Sequence, residues 1–341
     1  MSKKTRSFAL AEQLGHVLLH QKWRCATAES CTGGGVSMAI TEIPGSSQWF
    51  DRGFVTYTND AKQELLNVSP SIFISEGAVS EMTVRAMAEG AIFQSNAEVS
   101  VAISGVAGPG GGTPSKPVGM VWIGFAGALK PTEATCYVFK GDRAAIRQQA
   151  VEAALEGLIQ RCGQAPLNLS TSRYFFALWP NEKTAEALYE RYSKKDFIKP
   201  AQRVALKNLH VTLCYLGRVT PDFLKAALAV GNEVPGSSFN IAFSSLLYWS
   251  ESEVCCLGAK EIPDALSKLV TRITHYLVSV GFKPERKPYV PHITIARLCK
   301  ASVPDNKIAP ISWEASDFCL VKSTGGEASD YEIIQRWSLA R

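Results

Sequence analysis

The sequence predicts two mixed domains in tandem, an α/β domain followed by an α+β domain made of two similar lobes. Three observations lead there. The 341 residues are long for a single core, and two domains of ordinary size are the first expectation. The stretch Arg161–Ser172, RCGQAPLNLSTS, has Gly163, Pro166 and short polar residues without apolar periodicity, so it reads as a joint. Beyond it, a strand–helix–strand order carrying HVT returns as strand–helix–strand carrying HIT, a weak internal repeat that predicts lobes related by an approximate two-fold axis. The expected boundaries are 1–163 for the first domain, 164–172 for the linker and 173–341 for the second.

Composition narrows the classes. Residues 1–165 balance 14 Lys and Arg against 14 Asp and Glu, whereas residues 166–341 carry 22 against 17, so the whole net charge of +5 sits in the second half. A modest positive field there suits a polyanion such as RNA, and equally suits ordinary surface variation. Nine cysteines without CxxC pairs imply reduced thiols rather than a disulfide framework or a zinc site. Glu12 and His16 interrupt the apolar run that a signal peptide needs, and no stretch approaches the ~20 apolar residues of a membrane span. A soluble cytoplasmic protein is expected, without a membrane partner.

In the first half, Phe8–His20 has helical spacing; its His16 and His20 stand in HVLLH, which lacks the glutamate of a HExxH metal site. Arg24–Ala28 reads as a buried strand, Gly33–Gly35 as a turn, and Val36–Ile40 as the start of a helix. Ser30 therefore lies between a strand and a glycine-rich helix start, where converging N–H groups can hold a phosphate or an oxyanion; the plainer reading is a helix cap. Gly53–Thr58 reads as a strand ending at Tyr57, and a helix from about Asp60 puts Lys62 in its first turn. Serine, tyrosine and lysine at element ends are one way to activate a hydroxyl without histidine. Lysine titrates near ~10.4, so keeping Lys62 neutral near pH 7 costs on the order of 4 kcal/mol, which burial or a neighbouring cation must supply. Ser80–Gln94 is an amphipathic helix and Val99–Ser104 a buried strand running into GVAGPGGGTPSKPVG. That loop does not match a P-loop, but its glycines, Thr113 and Lys116 offer amides, a hydroxyl and a charge to an anion. Met120–Ala126 and Ala134–Phe139 form an antiparallel pair, and the helix of Gly141–Ile159 begins with Arg143.

AESCTGGG, PGSSQWFDRGFVTYTNDAK, SGVAGPGGGTPSKPVG and FKGDRAAIR, in this order, resemble the CinA C-terminal (PncC) family of nicotinamide mononucleotide amidohydrolases over residues ~8–162. The resemblance implies a three-layer α/β domain that converts nicotinamide mononucleotide to nicotinate mononucleotide and ammonia. It carries over Ser30 as nucleophile and Tyr57 and Lys62 as its activating partners. Gly33, Gly34, Ser104, Gly110, Gly111, Thr113, Lys116 and Arg143 become candidates for holding the nucleotide. Family members usually have threonine where Ser104 stands. Cys31, beside Ser30, should point elsewhere and pack. The residues before Phe8 are too few for the further nucleotide-processing domain of many CinA proteins, so that activity is not expected. Self-association, where it occurs, is expected through this domain.

In the second half, strands are expected at Arg173–Leu178, Leu209–Leu216, Ser238–Trp249, Val254–Gly258, Val290–Leu298, Phe318–Val321 and Ile333–Ser338. Helices are expected at Asn181–Tyr192, capped by Asn181, and at Asp222–Val230 and Pro263–Val280. Strand alternation puts His210 and Thr212 on one face, and His292 and Thr294 on one face. A lone HxT is more often a satisfied sheet histidine, but two copies 82 residues apart in apolar strands reverse that balance. Facing each other, two imidazoles suit proton transfer to and from a phosphodiester, and two hydroxyls suit its non-bridging oxygens. The pair, with RYFFAL and PHITIAR, resembles the two-histidine phosphoesterases, most nearly the RNA 2′,3′-cyclic phosphodiesterase (ThpR, 2′-5′ RNA ligase) branch, over about Arg173–Trp337. That resemblance implies a bilobal α+β fold, RNA with a 2′,3′-cyclic phosphate end as substrate, and Arg297 as an extra phosphate ligand. Parity places Arg297 opposite His292, so it reaches the phosphate only where a bend or strand end turns it. Phe175 and Phe176 offer a stacking surface for a base, with core packing expected of at least one. Trp179, Trp249 and Trp313 are assigned no role, and His275 a structural one. The chain is thus expected to hold two hydrolases needing neither cofactor nor metal. The rival readings are that one half is a non-catalytic nucleotide- or RNA-binding module, or that the second half joins RNA.

Overall fold

A computed structural model describes residues 5–163, 169–193, 202–299, 307–323 and 331–340; of the expected linker, 164–168 lie outside the described residues. The chain divides into two compact units, Met1–Leu167 with Leu277–Arg286, and Asn168–Tyr276 with Lys287–Arg341.

The first unit is three layers around a five-stranded sheet in the order β2-β1-β3-β4-β5. Central β1 (Cys25–Glu29) runs parallel to β2 (Phe50–Val55) on one side and to β3 (Val99–Gly105) on the other, while β4 (Met120–Gly127) and β5 (Glu133–Val138) continue antiparallel. Every residue of β1 is buried, as a strand covered on both faces requires. One apolar cluster joins the sheet to α1 (Arg6–Gln21), α2 (Gly35–Thr41) and α6 (Arg143–Gly163) through Leu14, Leu18, Val36, Ile40 and Leu155. The opposite cluster joins it to α3 (Asn59–Leu66) and α5 (Glu81–Phe93) through Leu66, Val84, Met87 and Ile92. Gly90 of α5 sets the approach to α3, because a Cβ there would stand 2.1 Å from the Leu66 carbonyl oxygen. Helix starts follow their caps: Thr5, Thr58 and Ser80 accept from the amides of Phe8, Ala61 and Thr83. A short helix at Pro70–Ser75, α4, was not expected; Pro70 occupies its first turn, where the missing N–H costs nothing.

The second unit is a nine-stranded sheet ordered β12-β9-β10-β11-β8-β6-β13-β14, with β7 (Gln202–Arg203) paired to β11. Its centre is the antiparallel pair β8 (Val211–Gly217) and β11 (His292–Arg297), so the two HxT strands are neighbours. One lobe adds β6 (Arg173–Leu178), β13 (Asp317–Ser323) and β14 (Tyr331–Ser338); the other adds β9 (Phe239–Trp249), β10 (Val254–Ala259) and β12 (Lys307–Ala315). On one face of β6, Phe176 packs with Phe318 and Trp337 under α8 (Pro221–Glu233), whose Gly231 leaves room for the Trp337 ring. The other face carries Phe175 and His210, their ring centroids 5.0 Å apart. The helix α7 (Glu182–Ser193) is capped by Asn181 Oδ1, which accepts from the Thr184 amide at 2.9 Å, and α9 (Asp264–Ser279) buries Leu266, Leu269 and Ile273. Strand β12 was not expected because Pro310 interrupts its alternation. It lies at the sheet edge, and its register to β9 shifts between Lys307 and Ile311, where a residue without an N–H is tolerated.

Candidate active sites

In the first unit the chain leaves β1 toward β2 on one side and returns to β3 on the other, so the crevice at the C-terminal end of β1 is a topological switch point. Ser30 is the first residue beyond that end, anchored by its amide to the Ile103 carbonyl oxygen at 2.9 Å. Lys62, in the first turn of α3, is 1% exposed and brings Nζ to 3.2 Å from Ser30 Oγ. The same nitrogen reaches the carbonyl oxygens of Thr56 at 2.8 Å and of Tyr57 and Thr58 at 3.4 Å each. Burial holds the Lys62 amine below its ordinary pKa, with only the Cys31 thiol acting the other way. Of the two causes the sequence left open, burial is the one in place. Cys31 itself is buried and its thiol is pushed up to about 11, so it packs rather than competes as a nucleophile.

The tyrosine differs from expectation. Strand β2 ends at Val55, two residues before Tyr57, whose side chain is 61% exposed. The phenol oxygen accepts from Arg143 Nη2 at 3.2 Å, and Arg143 Nη1 donates to the Gly108 carbonyl oxygen at 2.8 Å. Tyr57 thus meets Lys62 through its main chain, and its ring joins Arg143 and the glycine loop. The helix start also differs. Buried Glu29 accepts from the Val36 and Ser37 amides at 3.0 and 2.8 Å and from the Ser37 hydroxyl at 2.8 Å, so the protein's own carboxylate fills the N-terminus of α2. Gly33 and Gly34 take left-handed φ of 60° and 92° and form the turn, where Arg147 Nη2 donates to the Thr32 carbonyl oxygen at 2.6 Å.

The remaining candidates are spread. Ser104 is buried at the end of β3, and its hydroxyl donates to the Ala78 carbonyl oxygen at 2.7 Å, which ties down the loop before α5 instead of facing a ligand. Thr113 Oγ1 accepts from the Lys116 amide at 3.0 Å and closes its own turn, while Lys116 Nζ donates to the Glu76 carbonyl oxygen at 2.7 Å. Gly110 and Gly111 lie exposed in that loop. The geometry therefore concentrates chemistry at Ser30 and Lys62, with Tyr57 and Arg143 at the rim.

In the second unit, β8 and β11 pair through Val211 and Ile293. Counting one residue each way along this antiparallel register sets His210 across from Thr294 and Thr212 across from His292. The four side chains form a tetrad about a local two-fold axis, with fully buried Val211 and Ile293 on the other face. Each imidazole is held alike: His210 Nδ1 lies 2.7 Å from the Asn208 carbonyl oxygen, and His292 Nδ1 lies 2.8 Å from that of Val290. A carbonyl accepts only, so Nδ1 carries hydrogen in both rings and Nε2 is the nitrogen left for chemistry. Burial lowers the His210 pKa to about 4, with His292 and Arg297 adding to the effect. Burial also lowers His292, against the hydrogen bond to Val290.

Arg297 reaches this face by a bulge. Cys255 pairs with Ala296 and Cys256 with Thr294, so Ile295 is a surplus residue in β11. Parity shifts there: Ile293, Ile295 and Ala296 are buried, whereas His292, Thr294 and Arg297 are not. The guanidinium adds to the lowering of the His210 pKa and only partly opposes the burial that pushes the Cys256 thiol up to about 12; that thiol sits 3.8 Å from the Thr294 hydroxyl. Phe175 is a correction. It is 4% exposed and its ring lies against His210 and Tyr331, so it is a wall of the site and offers no free stacking face. The sequence reading missed the tryptophans: Trp179 stacks on His210 with centroids 5.1 Å apart and planes at 4°, and Trp249 meets His292 edge-on at 4.4 Å. Their signal was weak, since each lies at a strand end remote in sequence from the histidine it touches.

Against known proteins, residues 7–162 match the family model described as the CinA C-terminal domain. The nicotinamide-nucleotide amidohydrolase PncC of Enterobacter agglomerans is 50% identical over 156 residues, covering 46% of this chain and 94% of that relative. The N-terminal half of this chain belongs to the CinA C-terminal domain family. A second model, described as LigT like phosphoesterase, matches residues 257–327 in the second half, a span that holds His292 and Thr294. Among solved structures, the competence/damage inducible protein CihA from Agrobacterium tumefaciens is similar at 41% identity and a TM-score of 0.45, covering 46% of this chain and 96% of that one. Escherichia coli LigT in apo form is similar at 26% identity and a TM-score of 0.45, covering 50% of this chain and 98% of that one. Among the described residues no helix is long and apolar enough to cross a membrane, and no group of three His, Cys, Asp or Glu side chains converges as a metal site.

Proposed function

We propose that the chain is a bifunctional hydrolase with one independent activity in each of the domains 1–163 and 173–341. The first deamidates nicotinamide mononucleotide to nicotinate mononucleotide and ammonia. The observation that carries this is the buried Lys62 amine 3.2 Å from Ser30 Oγ. The neutral amine takes the serine proton as Oγ bonds to the carboxamide carbon, then returns it to the nitrogen leaving as ammonia; water hydrolyses the acyl-enzyme by the same route. Arg143, with Tyr57 at the rim of the crevice, is placed to meet the nucleotide's phosphate.

The second activity opens a terminal 2′,3′-cyclic phosphate of RNA to a 2′-phosphate. His210, the imidazole held more firmly neutral, accepts a proton from the attacking water at Nε2, and His292 donates one to the departing ribose 3′-oxygen. The hydroxyls of Thr212 and Thr294 and the Arg297 guanidinium meet the non-bridging oxygens as charge builds there. Nine free thiols, seven of them buried, support a reducing cytoplasmic location. Ser30→Ala and His210→Ala, each assayed on nicotinamide mononucleotide and on a cyclic-phosphate oligonucleotide, test the assignment. Each variant should lose one activity and keep the other; loss of both in either variant overturns the independence of the domains.

A further inference from the structure

The phosphoesterase unit has a cavity of about 280 Å³ outside the histidine tetrad, lined among others by Trp179, Asn181, Trp313, Ser316, Asp317 and Arg336. Strand register puts it on the tetrad's side of the sheet. Ala177 pairs with Cys319, and Cys319 pairs with Arg336, so Arg336 shares the face of Ala177. Trp179 and Asp317 lie two residues along from Ala177 and Cys319 and so belong to that face, as does Phe175, which touches His210. Trp179 links the two places. Its indole is stacked on the His210 ring, and Trp179 also forms part of the cavity wall, so the cavity lies one ring's width beyond His210.

The lining has the chemistry of a nucleotide subsite. The half-buried Trp179 indole provides flat apolar surface, Trp313 is buried and serves only as wall, and a nucleobase fits the volume with room to spare. Arg336 is held in place by Asp317, its Nη1 lying 3.0 and 3.1 Å from the two carboxylate oxygens, which leaves the rest of the guanidinium as donors for a phosphate. Asn181 commits its Oδ1 to the cap of α7, which leaves its amide nitrogen as a donor to a base edge. Glu314 and Asp317 stand beside the single cation Arg336 in the lining, so the cavity suits one base and at most one phosphate rather than a run of phosphates.

We propose that this cavity binds the nucleotide preceding the reacting end of a single-stranded RNA, with its base against Trp179 and its phosphate at Arg336. The inference rests on the phosphodiesterase reading above, and it makes the enzyme's substrate an RNA end rather than a free cyclic mononucleotide. Because every base has a stacking face, the preference is for chain length over base identity.

The test compares a dinucleotide ending in a 2′,3′-cyclic phosphate with the corresponding cyclic mononucleotide, using the full chain. The kcat/KM ratio should favour the dinucleotide by about tenfold, as stacking one base on an aromatic ring allows. Ser316→Trp fills the cavity from an exposed position and should bring the ratio close to one; Arg336→Gln should lower it by a smaller factor. A wild-type ratio of one, or a ratio unaltered in a Ser316→Trp protein with normal circular dichroism, overturns the proposal. Binding of the 2′-phosphate-ended dinucleotide and mononucleotide, measured by calorimetry, separates it from the reading beneath. If neither cyclic substrate is hydrolysed, the phosphodiesterase assignment fails, and the subsite stands only if the dinucleotide still binds more tightly to wild type and not to Ser316→Trp.

Discussion

Lys62→Met is the perturbation that bears hardest on the amidase. The two side chains are of similar length, so the variant keeps the packing while removing the one nitrogen at Ser30. In the wild-type protein an ammonium at this site would forgo water for one short contact, to Thr56 at 2.8 Å, one to Ser30 Oγ at 3.2 Å and two long ones at 3.4 Å. Hydrogen bonds to a charged group return ~1.5–3 kcal/mol each at good geometry, against several kcal/mol for burying the ion, so the neutral amine gains. The consequence for stability follows from linkage. A lysine with a lowered folded pKa binds fewer protons folded than unfolded, so stability rises with pH between the folded value and the ordinary ~10.4, by at most about 1.4 kcal/mol per pH unit. Lys62→Met lacks that rise. Removing a general base should also cost ~10²–10⁴ in kcat/KM for nicotinamide mononucleotide. The assay is two-part: kcat/KM against pH, and hydrogen-exchange protection of β1 in both proteins at several pH values. A variant within tenfold of wild type, or a protection difference that does not change with pH, would refute the argument that Lys62 works as a buried neutral base.

For the phosphodiesterase, kcat/KM against pH should be bell-shaped with its maximum below ~6.5, because both imidazoles are lowered from that value and one of them must be charged; a maximum above pH 7.5 contradicts the acid–base assignment. Arg297→Gln should cost about 10²-fold in kcat/KM, as loss of one transition-state donor does, while leaving the melting temperature of this exposed residue's protein unchanged. Exhaustive chelation should leave both activities intact, because the proposed steps run through serine, lysine and histidine; loss of either on chelation, restored by a divalent ion, would require a different mechanism.

How far the sequence could be read depended on how local each signal was. Central strands β1 and β3 are short runs of small and apolar residues buried on both faces, and they appear within a residue of where the sequence puts them. Ser30 and Lys62 were legible because each stands at the end of such an element. Tyr57 was misplaced by the same logic, since β2 ends at Val55, earlier than its apolar pattern suggests. Glu29 lies one residue past the expected strand Arg24–Ala28 and carries no motif of its own, although its carboxylate is what organises the start of α2. The Trp179 and Trp249 contacts depend on strand pairing across 31 and 43 residues, which no local window contains. Edge strand β12 hid behind its proline.

The surplus Ile295 has a consequence for comparing such sequences. Thr294 and Arg297 are separated by an odd number of steps, and on an unbroken strand that spacing would send them to opposite sides. One inserted residue reconciles them, so the run HITIAR encodes a kink as well as a set of side chains on one face. A chain shortened by that single position would need no bulge, because its threonine and arginine would then stand two steps apart and share a face by ordinary alternation. An alignment that tolerates one gap inside the run would therefore score such a chain as equivalent with good reason, whereas a chain with all six letters paired without the bulge would turn its arginine to the other side.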